Sequence, residues 1–179
     1  MNSIFFALKK RCGFTLIEVL IALVVTAVGL LGLAKMQALA IASTKTSGSR
    51  SLIALQVGSL ASAMHANKKF WASNSVPSTF SAATTKVTDS SGILNASISG
   101  GCATLCTPAA MAANDVQAWA NDMYNQFPTY TAKIDCTDNT NQPVSCEIYV
   151  TWKENNVAMN KTASAVTTET QSFSVFVKP

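Results

Sequence analysis

The sequence predicts an α+β fold in which one long N-terminal helix packs on a small antiparallel β-sheet head. Two observations predict it: an apolar run near the N-terminus that continues as an amphipathic stripe, and short segments of alternating apolar and polar residues towards the C-terminus. The chain has 179 residues, which suits one domain plus an anchor. Hydrophobic residues make up 49% of it, and their concentration in the first third sets the anchor apart from the head.

The apolar run covers residues 14–34 and contains a single charge, Glu18. A helix of this length spans roughly 30 Å, the thickness of a bilayer core. Lys9, Lys10 and Arg11 precede the run, and this basic flank predicts a cytoplasmic N-terminus and an exported C-terminal part. The alternatives are a conventional secretory signal peptide and an unprocessed single-pass anchor. Neither explains the charge at Glu18.

Glu18 needs a counter-ion, and a cut ahead of Phe14 would create one. A carboxylate at membrane depth costs on the order of 2.5–3.5 kcal/mol, so it normally has a partner. Glu18 lies about one helical turn after Phe14. A cut between Gly13 and Phe14 would create an α-amino cation, and on the same or a neighbouring subunit this amine is the natural counter-ion of the carboxylate.

The helical pattern continues past the apolar run. After Lys35 the apolar positions narrow to one stripe, which predicts an amphipathic continuation to about Phe70. The Ser-Gly-Ser sequence at 47–49 is the predicted weak point, because glycine and serine lower helix stability. We expect the stripe to pack on the inward face of the sheet. It consists of Ile53, Val57, Leu60 and Met64.

The middle of the chain predicts a loop followed by a second helix. Residues 73–101 are rich in Ser and Thr, which predicts an irregular surface connection with a short strand around 93–98. Thr107 is then the predicted N-cap of a helix, with Pro108 at its first position and Pro128 at its end. Its apolar face is expected to lie in the core and carries Ala112, Val116, Trp119 and Met123.

Strand patterns fill the C-terminal part. Apolar and polar residues alternate in segments 130–136, 147–152 and 173–177, as in half-buried strands. The intervening polar residues predict a turn at 138–143 and a longer loop at 155–171. These strands would form the antiparallel sheet of the head.

Four of the five cysteines lie in the predicted head, and Cys12 lies before the apolar run. An even set predicts two disulfides in an oxidising compartment. Three pairings are possible, and short sequence separation favours Cys102–Cys106 with Cys136–Cys146. A zinc site is the alternative, although this spacing fits common zinc sites poorly.

Charge and motifs argue against nucleic-acid binding and catalysis. The net charge is +4, but Lys9, Lys10 and Arg11 supply three of these charges, and no basic stripe with interleaved aromatics is visible. Neither a catalytic motif nor a phosphate-binding loop occurs, and the only histidine, His65, lies on the predicted helix. We therefore expect a protein that is not an enzyme and has no cofactor or metal.

The basic residues 9–11 and the sequence from Gly13 to Leu20 together resemble the class III signal of type IV prepilins and pseudopilins. The resemblance implies that a prepilin peptidase, an aspartyl enzyme of the membrane, cuts after Gly13 and methylates Phe14. It also implies that Glu18 is the assembly carboxylate and that the chain has the type IV pilin fold, with a membrane-spanning first half of the long helix.

The implied organisation has four parts. Residues 1–13 are a leader that is removed, and residues 14–35 are the transmembrane and assembly half of the helix. Residues 36–70 are its amphipathic exported half, and residues 71–179 are the disulfide-bonded head.

Further residues resemble the V-type minor pilin, also called the type IV pilus modification protein. They are the run 27–34, followed by Gln37, and the sequence from Cys102 to Pro128 ahead of a Val-x-Trp strand. The chain departs from typical major pilins, which carry a helix-bending proline just past the membrane run, because the nearest proline here is Pro77.

This second resemblance implies a minor pilin that primes or promotes pilus assembly and sits at or near the tip. The implied partners are the prepilin peptidase, other minor pilins, the major pilin and the inner-membrane assembly platform. The implied location is the inner membrane, with a cytoplasmic N-terminus and a periplasmic head, and then the pilus. A pseudopilin of a type II secretion system and an unprocessed single-pass membrane-anchored binding protein are the alternatives.

Overall fold

The computed structural model describes residues 13–98, 102, 106–137, 143–156 and 167–179. The chain forms two compact units, Met1–Thr44 and Lys45–Pro179. A long apolar helix precedes a five-stranded antiparallel sheet, which confirms the predicted α+β class. The elements are α1 (Leu16–Ala66), α2 (Lys68–Trp71), β1 (Thr79–Ala83), β2 (Lys86–Asp89), α3 (Pro108–Gln126), β3 (Thr131–Cys136), β4 (Cys146–Asn156) and β5 (Thr167–Val177).

The second half of α1 has the predicted apolar stripe. Ile53, Val57, Leu60 and Met64 are all buried and belong to one hydrophobic core with the inward residues of the sheet. The Ser-Gly-Ser sequence at 47–49 does not interrupt the helix. The serine hydroxyls near it donate hydrogen bonds to carbonyls one turn earlier, as Ser49 does to Lys45 at 3.1 Å, so they remain satisfied inside the helix.

The long helix ends at Ala66, one turn earlier than the sequence pattern predicts. Asn67 leaves the helical conformation, with φ −111° and ψ 52°. Its side-chain amide instead donates a 2.7 Å hydrogen bond to the carbonyl of Pro108 at the start of α3. The residues up to Trp71 then form the separate short helix α2, whose Phe70 and Trp71 are buried in an edge-to-face contact of 5.1 Å.

The sheet has the strand order β2-β1-β3-β4-β5, and every neighbouring pair is antiparallel. Alternate residues of the strands point into the core, as the pleat of a sheet requires. α3 lies against β1 and β2. The fully buried side chains at the centre of the sheet are Ile134, Ile148 and Val150.

The prediction of an irregular connection at 73–101 is wrong for its first part, and the strand predicted around 93–98 does not form. β1 and β2 form a hairpin there, joined at Thr84, which has a φ of 56°. Phe80, Ala82 and Val87 alternate with exposed polar residues, a strand pattern hidden by the Ser and Thr around them. Ile93 lies instead in a turn that the Asp89 carboxylate holds.

The second helix and the C-terminal strands agree with the sequence pattern more closely. Thr107 accepts a hydrogen bond from the Ala110 amide at 3.2 Å, and α3 begins at Pro108, as predicted. The predicted loop 155–171 is too wide, because β4 extends to Asn156 and β5 begins at Thr167. Most of the turn predicted at 138–143 lies outside the described residues. The apolar face of α3 is buried, as expected, at Ala112, Val116, Trp119 and Met123.

Candidate processing and assembly segment

Thr15 caps the N-terminus of α1. Its hydroxyl accepts a hydrogen bond from the Glu18 amide at 3.3 Å, and its carbonyl accepts from the amides of Glu18 and Val19. Gly13 and Phe14 therefore precede the helix, and the Phe14 side chain is 80% exposed. The peptide bond between Gly13 and Phe14 therefore lies outside the helix.

Glu18 is the one polar side chain of the apolar run that has no side-chain partner among the described residues. The other two polar residues of the run are satisfied within the helix, since Thr15 is the cap and the Thr26 hydroxyl donates to the carbonyls of Ala22 and Leu23 at 2.9 Å. The Glu18 side chain is exposed and forms no ion pair with a described residue. In an apolar environment, a carboxylate normally has a counter-ion or a hydrogen-bond partner.

The helix around Glu18 has an apolar surface on all sides. By length and composition α1 could cross a membrane. An apolar surface of this extent is covered by lipid or by other apolar helices, because water cannot solvate it favourably. The large exposed side chains of the segment are Phe14, Leu16, Ile17, Val19, Leu20, Ile21, Leu23, Val24, Val25, Val28, Leu30, Leu31, Leu33 and Met36.

Comparison with known families identifies this segment. Residues 8–34 match the family model of the prokaryotic N-terminal methylation motif. The chain carries a prokaryotic N-terminal methylation motif. This motif is a type IV pilin-like signal, which indicates a type IV pilin-like protein or a pseudopilin, and it is structural rather than enzymatic. Comparison with curated proteins and with solved structures gave no significant match.

The methylation motif covers the capped N-terminus of α1. It spans the predicted cut after Gly13, the predicted new N-terminus Phe14 and the carboxylate of Glu18. The structure brings these three residues together at the beginning of α1. The basic residues 9–11 and Cys12 lie outside the described residues.

The four cysteines of the head form two disulfides. Cys102 is bonded to Cys106 just before α3, with 5.5 Å between their Cα atoms. Cys136 and Cys146 are directly opposite each other on β3 and β4, and their disulfide joins these neighbouring strands. The cysteines bond to one another and are therefore not zinc ligands. No group of three or more His, Cys, Asp or Glu residues able to hold a metal ion occurs among the described residues.

Two polar sites of the second unit were not predicted from the sequence. Asp89 is buried and accepts hydrogen bonds from the amides of Ser91, Ile93 and Leu94 and from the Ser91 hydroxyl. The Asp-Ser-Ser-Gly sequence that begins at Asp89 is a turn signal that could have revealed it. The other site joins Arg50 to Glu154, and no local signal predicts a pair so distant in sequence.

Proposed function

We propose that the chain is a minor pilin of a type IV pilus, which primes or promotes pilus assembly and is incorporated at or near the tip. The observation that carries the proposal is a lone exposed carboxylate, Glu18, one turn after Phe14 on an apolar helix with a methylation motif. The resemblance of residues 27–34 and of the cysteine-containing head to V-type minor pilins favours this role over others in the same class.

The proposed organisation assigns one task to each part of the chain. The prepilin peptidase removes the leader, residues 1–13, and methylates Phe14. Residues 14–35 hold the subunit in the inner membrane and later enter the helical bundle of the filament. Residues 36–70 carry the helix out of the membrane, and the head, residues 71–179, lies in the periplasm and finally at the cell surface. Two disulfides suit that oxidising compartment.

The proposed mechanism of assembly rests on the charge of Glu18. Cleavage frees the α-amine of Phe14, and the carboxylate of an incoming subunit pairs with this amine on its neighbour. Because the pair offsets the cost of a carboxylate in an apolar environment, it selects the register in which helices join the bundle. The partners in this process are other minor pilins, the major pilin and the inner-membrane assembly platform.

The N-terminus and intact mass of the membrane-expressed chain test the proposal, measured with and without an active prepilin peptidase. A methylated N-terminus at Phe14, produced only when the peptidase is present, is the expected result. A chain that starts at Met1 or beyond Ala40 despite active peptidase would contradict the proposal. A start at Met1 would indicate an unprocessed anchored binding protein, and a start beyond Ala40 would indicate a conventional signal peptide.

A pseudopilin of a type II secretion system is the second candidate, because the methylation motif occurs in that class as well. Deletion of the gene separates the two. A minor pilin predicts fewer pili or pili of altered composition with unchanged protein secretion. Normal pili together with a loss of secretion would instead identify a pseudopilin.

A further inference from the structure

The sheet ends at β5, and among the described residues no strand lies on its outer side. β5 is eleven residues long and pairs with β4 without a bulge, from Thr167 opposite Asn156 to Val177 opposite Cys146. It contains no proline or lysine, residues that commonly protect an edge from pairing with another chain, and its one charged residue is Glu169. The other edge strand, β2, has only four residues. In the part of the chain that the structure describes, β5 is therefore the longer edge strand and the one open to a further strand.

The hydrophobic core is incomplete along β5. Ile148 and Val150 on β4 are fully buried, whereas Val175 and Phe173, directly opposite them on β5, are only half-buried. These two apolar side chains pack against the core side of the sheet, but they remain partly exposed. A sixth strand would place side chains beside them and extend the buried apolar surface.

The same side of β5 carries an uncompensated charge. Glu169 lies directly opposite Glu154, and like charges at opposite positions destabilise a sheet. Glu154 already accepts hydrogen bonds from Arg50 and Trp152. Glu169 is exposed and forms no ion pair with a described residue. A cation placed on the outer side of β5 would relieve this repulsion.

We propose that the β5 edge binds an extended segment of another protein, which adds to the sheet as a sixth, antiparallel strand. Main-chain hydrogen bonds hold the segment, and alternate side chains determine which segment fits. Two apolar residues lie opposite Val175 and Phe173, and a Lys or Arg lies opposite Glu169. Because facing positions recur at every second residue, the segment has two apolar residues two positions apart and a basic residue four positions further on.

A second copy of β5 does not fit this description. The nearest basic residue of the chain is Lys178, just past the end of the strand. Lys178 and Glu169 point to opposite sides of the sheet. If two β5 strands paired antiparallel with Lys178 opposite Glu169, the core-facing residues of one copy would therefore lie opposite the solvent-facing residues of the other. The proposed partner is therefore a different chain, and the inference does not depend on the proposed pilus function.

The test measures binding of two labelled synthetic peptides to the full-length chain in lipid nanodiscs, by fluorescence anisotropy with empty nanodiscs subtracted. Both peptides have Val at the two apolar positions and Thr at the other positions. One peptide carries Lys at the charged position, and the other carries Glu there. We expect the Lys peptide to bind about fivefold or more tightly than the Glu peptide. Glu169→Lys should reverse this preference. Equal binding of the two peptides, or no reversal in Glu169→Lys, would overturn the proposal.

Two further variants locate the site on the core-facing side of the edge. Val175→Lys should abolish binding of both peptides, whereas Ser174→Gln, whose side chain points to the opposite face of the sheet, should leave it unchanged. Tryptophan fluorescence checks that each variant is folded. If Val175→Lys does not fold, the result for Glu169→Lys still decides the test. If the chain self-associates and Val175→Lys abolishes this self-association, the occupant of the edge is a second copy and the proposal is overturned.

Discussion

Arg50 on α1 and Glu154 on β4 form an ion pair with 3.1 Å between Nη2 and Oε2, although 104 residues separate them in the sequence. The Glu154 side chain is only 9% exposed, and its other oxygen accepts a 2.8 Å hydrogen bond from the Trp152 indole. Arg50 is more than half exposed. The pair therefore joins the helix to the sheet through a nearly buried carboxylate whose two oxygens have different donors.

Removal of the Arg50 guanidinium should destabilise the second unit. Arg50→Met removes the two N–H donors of the guanidinium from the nearly buried Glu154 carboxylate, at an expected cost of about 1–2 kcal/mol in the free energy of unfolding. Urea titration followed by tryptophan fluorescence measures it, because all three tryptophans are buried in this unit. Glu154→Gln and the double variant complete a cycle in which we expect a coupling energy of about 1 kcal/mol.

The Lys133–Asp135 pair is the matched control for this cycle. Its N–O distance is 2.9 Å, but both side chains are about half exposed. Lys133→Met should change the free energy of unfolding by less than about 0.5 kcal/mol, because exposed pairs contribute little. Equal effects of Arg50→Met and Lys133→Met would show that the burial of Glu154 has no energetic consequence.

Tyr130 should make stability depend on pH in the alkaline range. Its hydroxyl is 3.0 Å from the carbonyls of Ala120 and Thr84, and burial raises the pKa of this phenol from 10.0 to about 12. Tyr130→Phe should cost about 1–2 kcal/mol at neutral pH, because the hydrogen bond is lost. The raised pKa stabilises the fold below pH 10, and this contribution is lost as the pH rises towards 12.

The difference between the wild type and Tyr130→Phe should therefore shrink above pH 10 in urea titrations over that range. Tyr149, which is 42% exposed on the outer face of the sheet, provides the control. Tyr149→Phe should shift the stability by less than about 0.5 kcal/mol at every pH. A constant difference between wild type and Tyr130→Phe up to pH 12 would contradict the assignment.

Asp89 should contribute stability that is lost in acid. Burial raises the pKa of this carboxyl, but the amide of Leu94, the hydroxyl and amide of Ser91 and the amide of Ile93 lower it by more in total, so the net pKa lies below 3.8. The contribution is present above pH 3.8 and disappears as the pH falls through the lowered pKa. Asp89→Asn should cost about 1–3 kcal/mol at neutral pH, because an amide nitrogen cannot accept these hydrogen bonds.

Acid unfolding of the full chain in detergent tests the role of Asp89. The wild type should lose more stability than Asp89→Asn as the pH falls below 3.8. Asp122→Asn is the control, because Asp122 is exposed on α3. If the wild type and Asp89→Asn lost stability in parallel, the hydrogen bonds of the carboxylate would not be the cause.

Elements with a strong local period could be predicted from the sequence. The stripe from Ile53 to Met64 and the cap at Thr107 depend on residues within a few positions, so both were visible without the fold. The apolar run and Glu18 likewise lie in one continuous segment, which is why the methylation motif could be anticipated from the residues alone.

The remaining features depend on partners far away in the chain. The β1–β2 hairpin has one buried aromatic, Phe80, among Ser, Thr and Ala residues, and its strands are fixed by pairing with β3 rather than by their own composition. Asn67 ends α1 because its side chain bonds to Pro108, which lies 41 residues further on. Arg50 is one of three exposed Lys or Arg residues on α1, and only the fold gives it Glu154 as a partner.

Glu18 should be needed for assembly but not for processing. Glu18→Gln removes the charge, which lowers the cost of placing the helix in lipid and abolishes the proposed pairing with the α-amine of a neighbour. We expect mass spectrometry to find the N-terminus still at Phe14, while incorporation into purified filaments falls about tenfold or more. Thr26→Val is the matched control in the same apolar segment, because the Thr26 hydroxyl bonds only to carbonyls of its own helix in the described structure. Thr26→Val should assemble normally, and normal incorporation of Glu18→Gln as well would mean that this carboxylate does not align the subunit.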